Sequence, residues 1–291
     1  MKNVGAVLIA RTSKKLLKKY SKGRIYMFKF CSLYSGSTGN SLFVETPNTK
    51  ILIDAGESAK KIVSALSNIC IDIENIDAIL VTHEHSDHVK GLGTLSKKYN
   101  IPVYANNGTW QAMPVQSSKI ENRNKKLFNS NKSFSVGELK IFPFSIPHDA
   151  AEPCGFNIYY NNNKISIATD LGHIDSNIIS KLENSSFILL ESNYDPEILK
   201  CSSYPYNLKQ RILGPYGHLS NILAGQAISY LAQNGLKSVM LGHLSKENNF
   251  PELAYKTVMN ELIESNKDFD YSSFNLSIAK RYEPSPIIKL A

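Results

Sequence analysis

Thr82-His83-Glu84-His85-Ser86-Asp87-His88 follows directly on residues 76–81 (Ile-Asp-Ala-Ile-Leu-Val), whose apolar, β-branched run predicts a buried strand. Four side chains with metal-ligating atoms, His83, His85, Asp87 and His88, fall within six positions and include three of the chain's seven histidines. In a loop leaving a strand, positions i, i+2, i+4 and i+5 can converge on two adjacent points. Neutral imidazole and carboxylate suit Zn²⁺, Mn²⁺ or Fe²⁺. The alternative is a polar loop that is His-rich by accident. Three histidines clustered at one strand end speak against it.

Three further candidate ligands lie at carboxyl ends of predicted strands: His148 after residues 139–146, Asp170 after 164–169 and His243 after 237–242. In α/β sheets, ligands gather outside the carboxyl ends of strands. Each residue also has a plain alternative, respectively a turn histidine, a helix-capping aspartate and a buried histidine. Added to the 83–88 cluster, they complete a set large enough for two ions.

Around these positions, apolar periodicity predicts strands at 27–34, 41–46, 50–55, 101–105 and 186–191, and a hairpin over 155–169. Helical spacing marks 57–68, 88–99, 205–213, 220–234 and 251–265. Strands and helices alternate without a low-complexity linker or short repeat, which predicts one α/β domain over residues 27–291. At 291 residues, 42% hydrophobic and 20% charged, the chain can bury a sizeable core and is not of a disordered or fibrous class. No apolar run approaches the 18 residues of a membrane-spanning helix. Cys31, Cys70, Cys154 and Cys201 are widely spaced and form no C-x-x-C, which suits a reducing cytoplasm rather than a disulfide scaffold.

The net charge of +8 resides wholly in residues 1–26, which hold eight Lys or Arg and no acid; the rest is balanced. The basic pI is therefore no sign of a basic nucleic-acid-binding body. The order of an apolar run at 4–10 followed by basic residues does not match a secretory signal. Residues 1–26 are read as upstream sequence not normally translated, with Met27 as the start, as a basic arm for nucleic acid or anionic lipid, or as a weak targeting segment.

The His83-x-His85-x-Asp87-His88 motif, followed in order by His148, Asp170 and His243, resembles the metallo-β-lactamase fold superfamily. Residues 28–40, 146–149, 168–173, 190–195, 217–221 and 241–249 are similar to its bacterial YycJ/WalJ group, which is linked to 5′→3′ exonuclease action on DNA. In that group the chain typically begins near the equivalent of Met27. The resemblance implies an αββα four-layer sandwich with two divalent ions. His83, His85 and His148 would hold one ion, and Asp87, His88 and His243 the other. Asp170 would bridge them opposite a nucleophilic hydroxide that Asp87 orients. Two such ions lower the pKa of water to roughly 7 and clamp a phosphoryl group.

Within the resemblance, His218 precedes a helix capped by Ser220 and matches a proton-donating histidine of related phosphodiesterases; Glu191 matches the glutamate that accompanies it. The plain alternatives are a helix-start histidine and a carboxylate that only orients it. Lys209 and Arg211 are candidates for a substrate phosphate, and Ser35, Ser37 and Asn40 for substrate contacts from the 35–40 turn. Asp54 is expected to orient a ligand histidine. Glu84 is expected to point away from the metals, since the second ligand position is filled by His85. Lys119, Arg123, Lys125 and Lys126 in the polar stretch 117–133 are candidates for holding a polynucleotide. Whether His173 faces substrate or solvent is left open, and no aromatic strip stands out as a stacking platform.

The leading expectation is a dinuclear metal phosphodiesterase, a cytoplasmic 5′→3′ exonuclease with DNA preferred over RNA and no membrane partner. A small-molecule hydrolase (cyclic-nucleotide phosphodiesterase, lactonase or thioesterase) is the enzyme alternative; the His218/Glu191 pair argues against the lactonase. A non-catalytic scaffold would be expected to show gaps in the ligand set, and there are none.

Overall fold

The computed structural model describes residues 28–265 and 270–290, so the alternatives for residues 1–26 lie outside the described residues. Two seven-stranded mixed sheets face each other. The first runs β14-β1-β2-β3-β4-β5-β6 and the second β13-β12-β11-β10-β9-β8-β7. The first contains β1 (Phe28–Tyr34), β2 (Ser41–Glu45), β3 (Lys50–Ile53), β4 (Ala78–Leu80), β5 (Val103–Ala105) and β6 (Lys125–Leu127). The second contains β7 (Phe134–Val136), β8 (Leu139–Ser145), β9 (Cys154–Tyr160), β10 (Asn163–Ala168), β11 (Phe187–Glu191), β12 (Ser238–Gly242) and β13 (Asn275–Ile278); β14 (Ile288–Leu290) returns to the first.

The pleat explains why these strands read as continuous apolar runs. Successive side chains point to opposite faces, and both faces are covered. Ile51 and Ile53 of β3, Ala78 and Leu80 of β4, Phe187 and Leu189 of β11 and Met240 of β12 meet in the core between the sheets. The alternate residues Leu52, Ile79 and Val81 pack outward under α1 (Ala59–Asn68), α2 (Ser86–Val89), α3 (Leu92–Tyr99) and the short α4 (Asn107–Ala112) and α5 (Pro114–Ser117). Ile188, Leu190, Val239 and Leu241 pack outward under α6 (Ser176–Leu182), α9 (Asn221–Gln233) and α10 (Pro251–Ser265). Between these last, α7 (Pro196–Cys201) and α8 (Tyr206–Leu213) form a small satellite core around Leu199 and Ile212. The result is the expected helix–sheet–sheet–helix sandwich in a single domain.

Several elements differ from expectation. The helix expected over 88–99 is two, α2 and α3, separated at Lys90–Gly91, where the Gly91 N–H donates to Ala55 O at 2.8 Å. The stretch 117–133 is not wholly loop, since β6 pairs in parallel with β5 there as an edge strand. Its lysines suit an edge that must not recruit other chains. Strands β7, β13 and β14 were not expected; they are short, lie at or near sheet edges and are fixed by pairing rather than by pattern. Among the described residues, no helix is long and apolar enough to cross a membrane.

Candidate metal centre and its cavity

The carboxyl ends of β3, β4, β8, β10, β11 and β12 deliver the candidate residues to one end of the sandwich. Asp54 (φ 62°), Asp170 (φ 60°) and His243 (φ 55°), each just past a strand, adopt the left-handed backbone conformation. This conformation is uncommon for non-glycine residues, though Asp and His are enriched in it. It turns the chain sharply as the strand ends, so that these side chains leave the sheet. Gly56 allows the loop after β3 to press against the Asp87 backbone, where a Cβ would clash.

The seven expected ligands come together at this end: His83, His85 and His148 form one donor group and Asp87, His88 and His243 a second, while Asp170 groups with His83 and His88 and also with Glu191, His218 and His243. In the first, the rings of His83, His85 and His148 lie 4.7–5.0 Å apart by centroid. In the second, Asp87 Oδ2 is 3.6 Å from His88 Nε2 and 3.8 Å from His243 Nε2. Asp170 stands between them, with Oδ2 3.2 Å from His88 Nε2 and Oδ1 3.9 Å from His148 Nε2.

The outer nitrogens of four imidazoles are tethered. Nδ1 of His83 pairs with Thr82 Oγ1 at 3.0 Å, and Nδ1 of His88 donates to Asp54 Oδ2 at 2.8 Å. Nδ1 of His148 donates to Gly217 O at 3.2 Å, and Nδ1 of His243 to Glu191 Oε1 at 2.8 Å. Each tether leaves Nε2 facing the centre as a lone-pair donor, the arrangement by which partners of a ligating histidine set its tautomer. His85 instead turns Nδ1 inward, 3.3 Å from His148 Nε2. His83 Nε2, His243 Nε2 and Asp170 Oδ2 are buried with no hydrogen-bond partner among the described residues. Buried polar atoms are rarely left unpaired, and a pair of divalent cations would satisfy all three.

Electrostatics agrees. Burial, helped by neighbouring imidazoles, pushes His83 well below its usual range, which favours the neutral form that can donate a lone pair. Burial also opposes charge on His88 and His243. Even so, Asp170, Asp54 and Asp87 hold His88 well above the usual range, and Asp170, Asp87 and Glu191 push His243 up to about 10. The buried carboxylates thus demand positive charge where cations would sit. The donor set of imidazoles and carboxylates fits divalent metal ions.

Glu191 is fully buried, and all its acceptor sites are engaged. Oε1 accepts from His218 Nδ1 and His243 Nδ1, both at 2.8 Å, and Oε2 accepts from the backbone N–H groups of Leu171 at 2.8 Å and Leu219 at 3.4 Å. It therefore orients two histidines, and it also falls within a donor group with Asp170, His218 and His243. His218, its side chain 21% exposed, keeps Nε2 free at a cavity of about 170 Å³ beside the centre. Ser37, Asp149, Arg211 and Asn193 also line this cavity.

Of the other expected residues, Asp54 orients His88 as anticipated. Asn40 Nδ2 lies 3.1 Å from His88 Nε2 and 3.3 Å from Asp87 Oδ2, and Ser35 Oγ accepts from the His243 N–H at 2.8 Å. Both brace the ligand-bearing loops and do not line the cavity. Lys209 does not line it either; it donates to Lys200 O at 2.7 Å, on another face of α8. Glu84 points away from the metal groups, where Oε1 accepts from Ala151 N at 2.8 Å. Arg123 pairs with Glu121 in the 117–133 stretch. His173 is exposed and donates to Pro215 O at 2.9 Å.

Two residues were missed. Asp149 forms an ion pair with Arg211, its carboxylate also lying 3.4 Å from His148 Nε2. The Ile146-Pro-His-Asp149 segment was legible, but the partner 62 residues on was not. Tyr216, directly before the cavity-lining Gly217, is 60% exposed, and its carbonyl accepts from the Asp149 N–H at 3.1 Å.

Comparison with known proteins gives the same picture. A family described as "Beta-lactamase superfamily domain" matches residues 49–244. Exodeoxyribonuclease WalJ of Streptococcus pneumoniae is 42% identical over 240 residues, covering 82% of this chain and 89% of the relative. Exodeoxyribonuclease YycJ of Bacillus anthracis is 39% identical over 235 residues, covering 81% and 89%. Among solved structures, the metallo-β-lactamase fold protein YhfI from Bacillus subtilis superposes with a TM-score of 0.64 at 14% identity, over 91% of this chain and 100% of that one. This last likeness speaks for the fold.

Proposed function

The chain belongs to the metallo-β-lactamase superfamily, and from that premise we propose that it is a dinuclear metal-dependent exodeoxyribonuclease that cleaves DNA in the 5′→3′ direction. The observation that carries this is the His218–Glu191 pair, 2.8 Å apart, placed beside two complete donor groups and opening on a cavity that holds a guanidinium.

In this assignment His83, His85 and His148 hold one ion, Asp87, His88 and His243 the other, and Asp170 both. Zn²⁺ and Mn²⁺ both match the donors, and Fe²⁺ is acceptable to them. When bound, two such ions would make hydroxide available near neutral pH and offset the charge of a phosphodiester. The residues do the remainder. Asp87 is held below the usual carboxylate range by His88 and His243 against the opposing effect of burial, and accepts a hydrogen bond from the attacking water. His218 holds a proton at Nε2 for the leaving oxygen, with Glu191 stabilising the imidazolium and fixing the ring. Arg211 exchanges its contact with Asp149 for the substrate phosphate, and Ser37 lies on the same wall. Tyr216 offers an exposed ring for an unpaired base, a sequence-tolerant contact. DNA as substrate and four free cysteines, two of them buried, suit the cytoplasm.

The test is a time course on 5′-end-labelled duplex DNA and matched RNA with Mn²⁺, beside Asp170→Asn. Mononucleotide release from DNA in preference to RNA, abolished in the variant, is expected. Absence of cleavage of either polymer by metal-loaded protein would overturn the proposal.

A further inference from the structure

The Ser35-Gly36-Ser37 turn has a cavity on each side. Ser37 lines the one beside His218, and Ser35 lines a second of about 490 Å³. That volume is typical of small-ligand sites. Its apolar walls come from Leu244, Pro251 and Ile278, and residues 280–283 close it. This closing segment is anchored at both ends. The Ala279 N–H donates to Leu241 O, the Lys280 N–H to Ser285 Oγ and the Ser285 N–H to Ser32 O, each at 2.8 Å.

Arg281 reaches from this segment beneath the turn. Its guanidinium lies close under residue 36, where a Cβ would stand 2.5 Å from Nη1 and where the backbone at φ +146° favours glycine. Nη1 is buried and has no hydrogen-bond partner among the described residues. Of the acids around it, Glu283 pairs with Lys280 at 2.8 Å, and Glu247, 3.9 Å from Lys246, also acts on Arg281 through its charge without a direct hydrogen bond. A guanidinium is always charged and presents its donors as a fork suited to phosphate. A residue serving only to fill space under the turn would not need one. Beside it, Tyr282 is 61% exposed, with its ring 6.0 Å from Arg281 Cζ.

We propose that this second cavity binds the phosphate of a nucleotide, with Arg281 gripping the phosphate and Tyr282 and the apolar walls taking the base and sugar. The phosphate site stands on Arg281 as a lining residue of this cavity, with Nη1 left unpaired behind it beneath the turn; the choice of a nucleotide rests on the exonuclease assignment. Two sources share this chemistry, a free mononucleotide released by the reaction and a nucleotide within the DNA strand. Either would bear on the catalytic centre through Ser35, whose hydroxyl accepts from the His243 N–H.

The experiment titrates Mn²⁺-loaded protein with dAMP and with inorganic phosphate by calorimetry, in wild type, Arg281→Gln and Tyr282→Ala. Any binding at the catalytic cavity is common to all three and drops out of the comparison. Arg281→Gln is expected to weaken one class of dAMP and phosphate binding at least tenfold. Tyr282→Ala should weaken dAMP but leave phosphate unchanged. Both variants should keep wild-type hydrolysis of bis(p-nitrophenyl) phosphate. A raised KM for DNA at unchanged kcat in Arg281→Gln would identify the strand as the source, and an unchanged KM the free nucleotide. Wild-type isotherms and DNA kinetics in Arg281→Gln would overturn the proposal. Should that variant not fold, wild-type dAMP and DNA binding in Tyr282→Ala, whose ring is on the surface, would overturn it equally. A wild-type protein that leaves DNA intact yet binds phosphate through Arg281 would refute the exonuclease assignment and not this site.

Discussion

Replacing Glu191 by Gln keeps the shape of the side chain and removes one acceptor. The native carboxylate receives four N–H groups: two imidazoles at Oε1 and two backbone amides at Oε2. Gln has one acceptor oxygen, so its NH₂ must face one of these pairs. If it faces the amides, Leu171 and Leu219 are left with buried, unsatisfied N–H groups. At about 1–3 kcal/mol for each such group, and with the Leu219 contact long at 3.4 Å, the loss is about 2–4 kcal/mol. That is a large part of a typical stability of roughly 5–15 kcal/mol. If it faces the imidazoles, their Nδ1 atoms must become acceptors and the proton moves to Nε2. His243 can then no longer ligate, and affinity for the second ion falls by roughly 10–100-fold. Either way His218 loses the carboxylate that holds its Nδ1, and kcat on DNA should fall by about 10²–10⁴-fold. The loss should shrink on a p-nitrophenyl ester, whose leaving group needs no proton. The assay combines kcat on both substrates, metal content and a melting curve. An E191Q protein with full metal, unchanged Tm and DNA turnover within tenfold of wild type would refute the role given to Glu191.

Asp54→Asn tolerates the φ of 62° but weakens the acceptor for His88 Nδ1; metal affinity by chelator competition should drop about 10–100-fold, with an unchanged constant contradicting the second-layer role. Removing metal should lower Tm, because the buried carboxylates lose their counter-charge. Saturation at 100 Kd is worth about 2.7 kcal/mol, or roughly 5–10 °C for a domain of this size, and a Tm indifferent to Mn²⁺ would speak against binding at this centre. In the native protein a thiol reagent should titrate the exposed Cys70 and Cys201 only, since burial pushes Cys31 up to about 12 and Cys154 well above its usual range. Reaction of all four before denaturation would show the cores to be more open than described.

The sequence by itself determined the chemistry and most of the frame. Near-continuous apolar runs, alternating with helical spacing, marked most central strands, because a strand buried on both faces leaves little choice of residue. The seven candidate donors, which the structure gathers at one end of the sandwich, and the neighbouring His218–Glu191 pair were legible because they sit where strands end and the local motif names them. Short edge strands such as β6 and β14 were not legible, since partners distant in sequence, Val103–Ala105 and Phe28–Phe30, create them. The resemblance had already named two donor groups; only the tertiary structure shows how they are held, by left-handed turns at Asp54, Asp170 and His243 and by the Nδ1 tethers that fix which ring nitrogen points inward. Proximity alone moved Ser35 and Asn40 from the substrate to the ligand loops, and left Lys209 on another face of the helix that brings Arg211 to the cavity. It also set Arg281 beneath Gly36, a contact across some 245 residues that no local pattern encodes, since which groups lie unpaired is decided only when the chain has closed on itself.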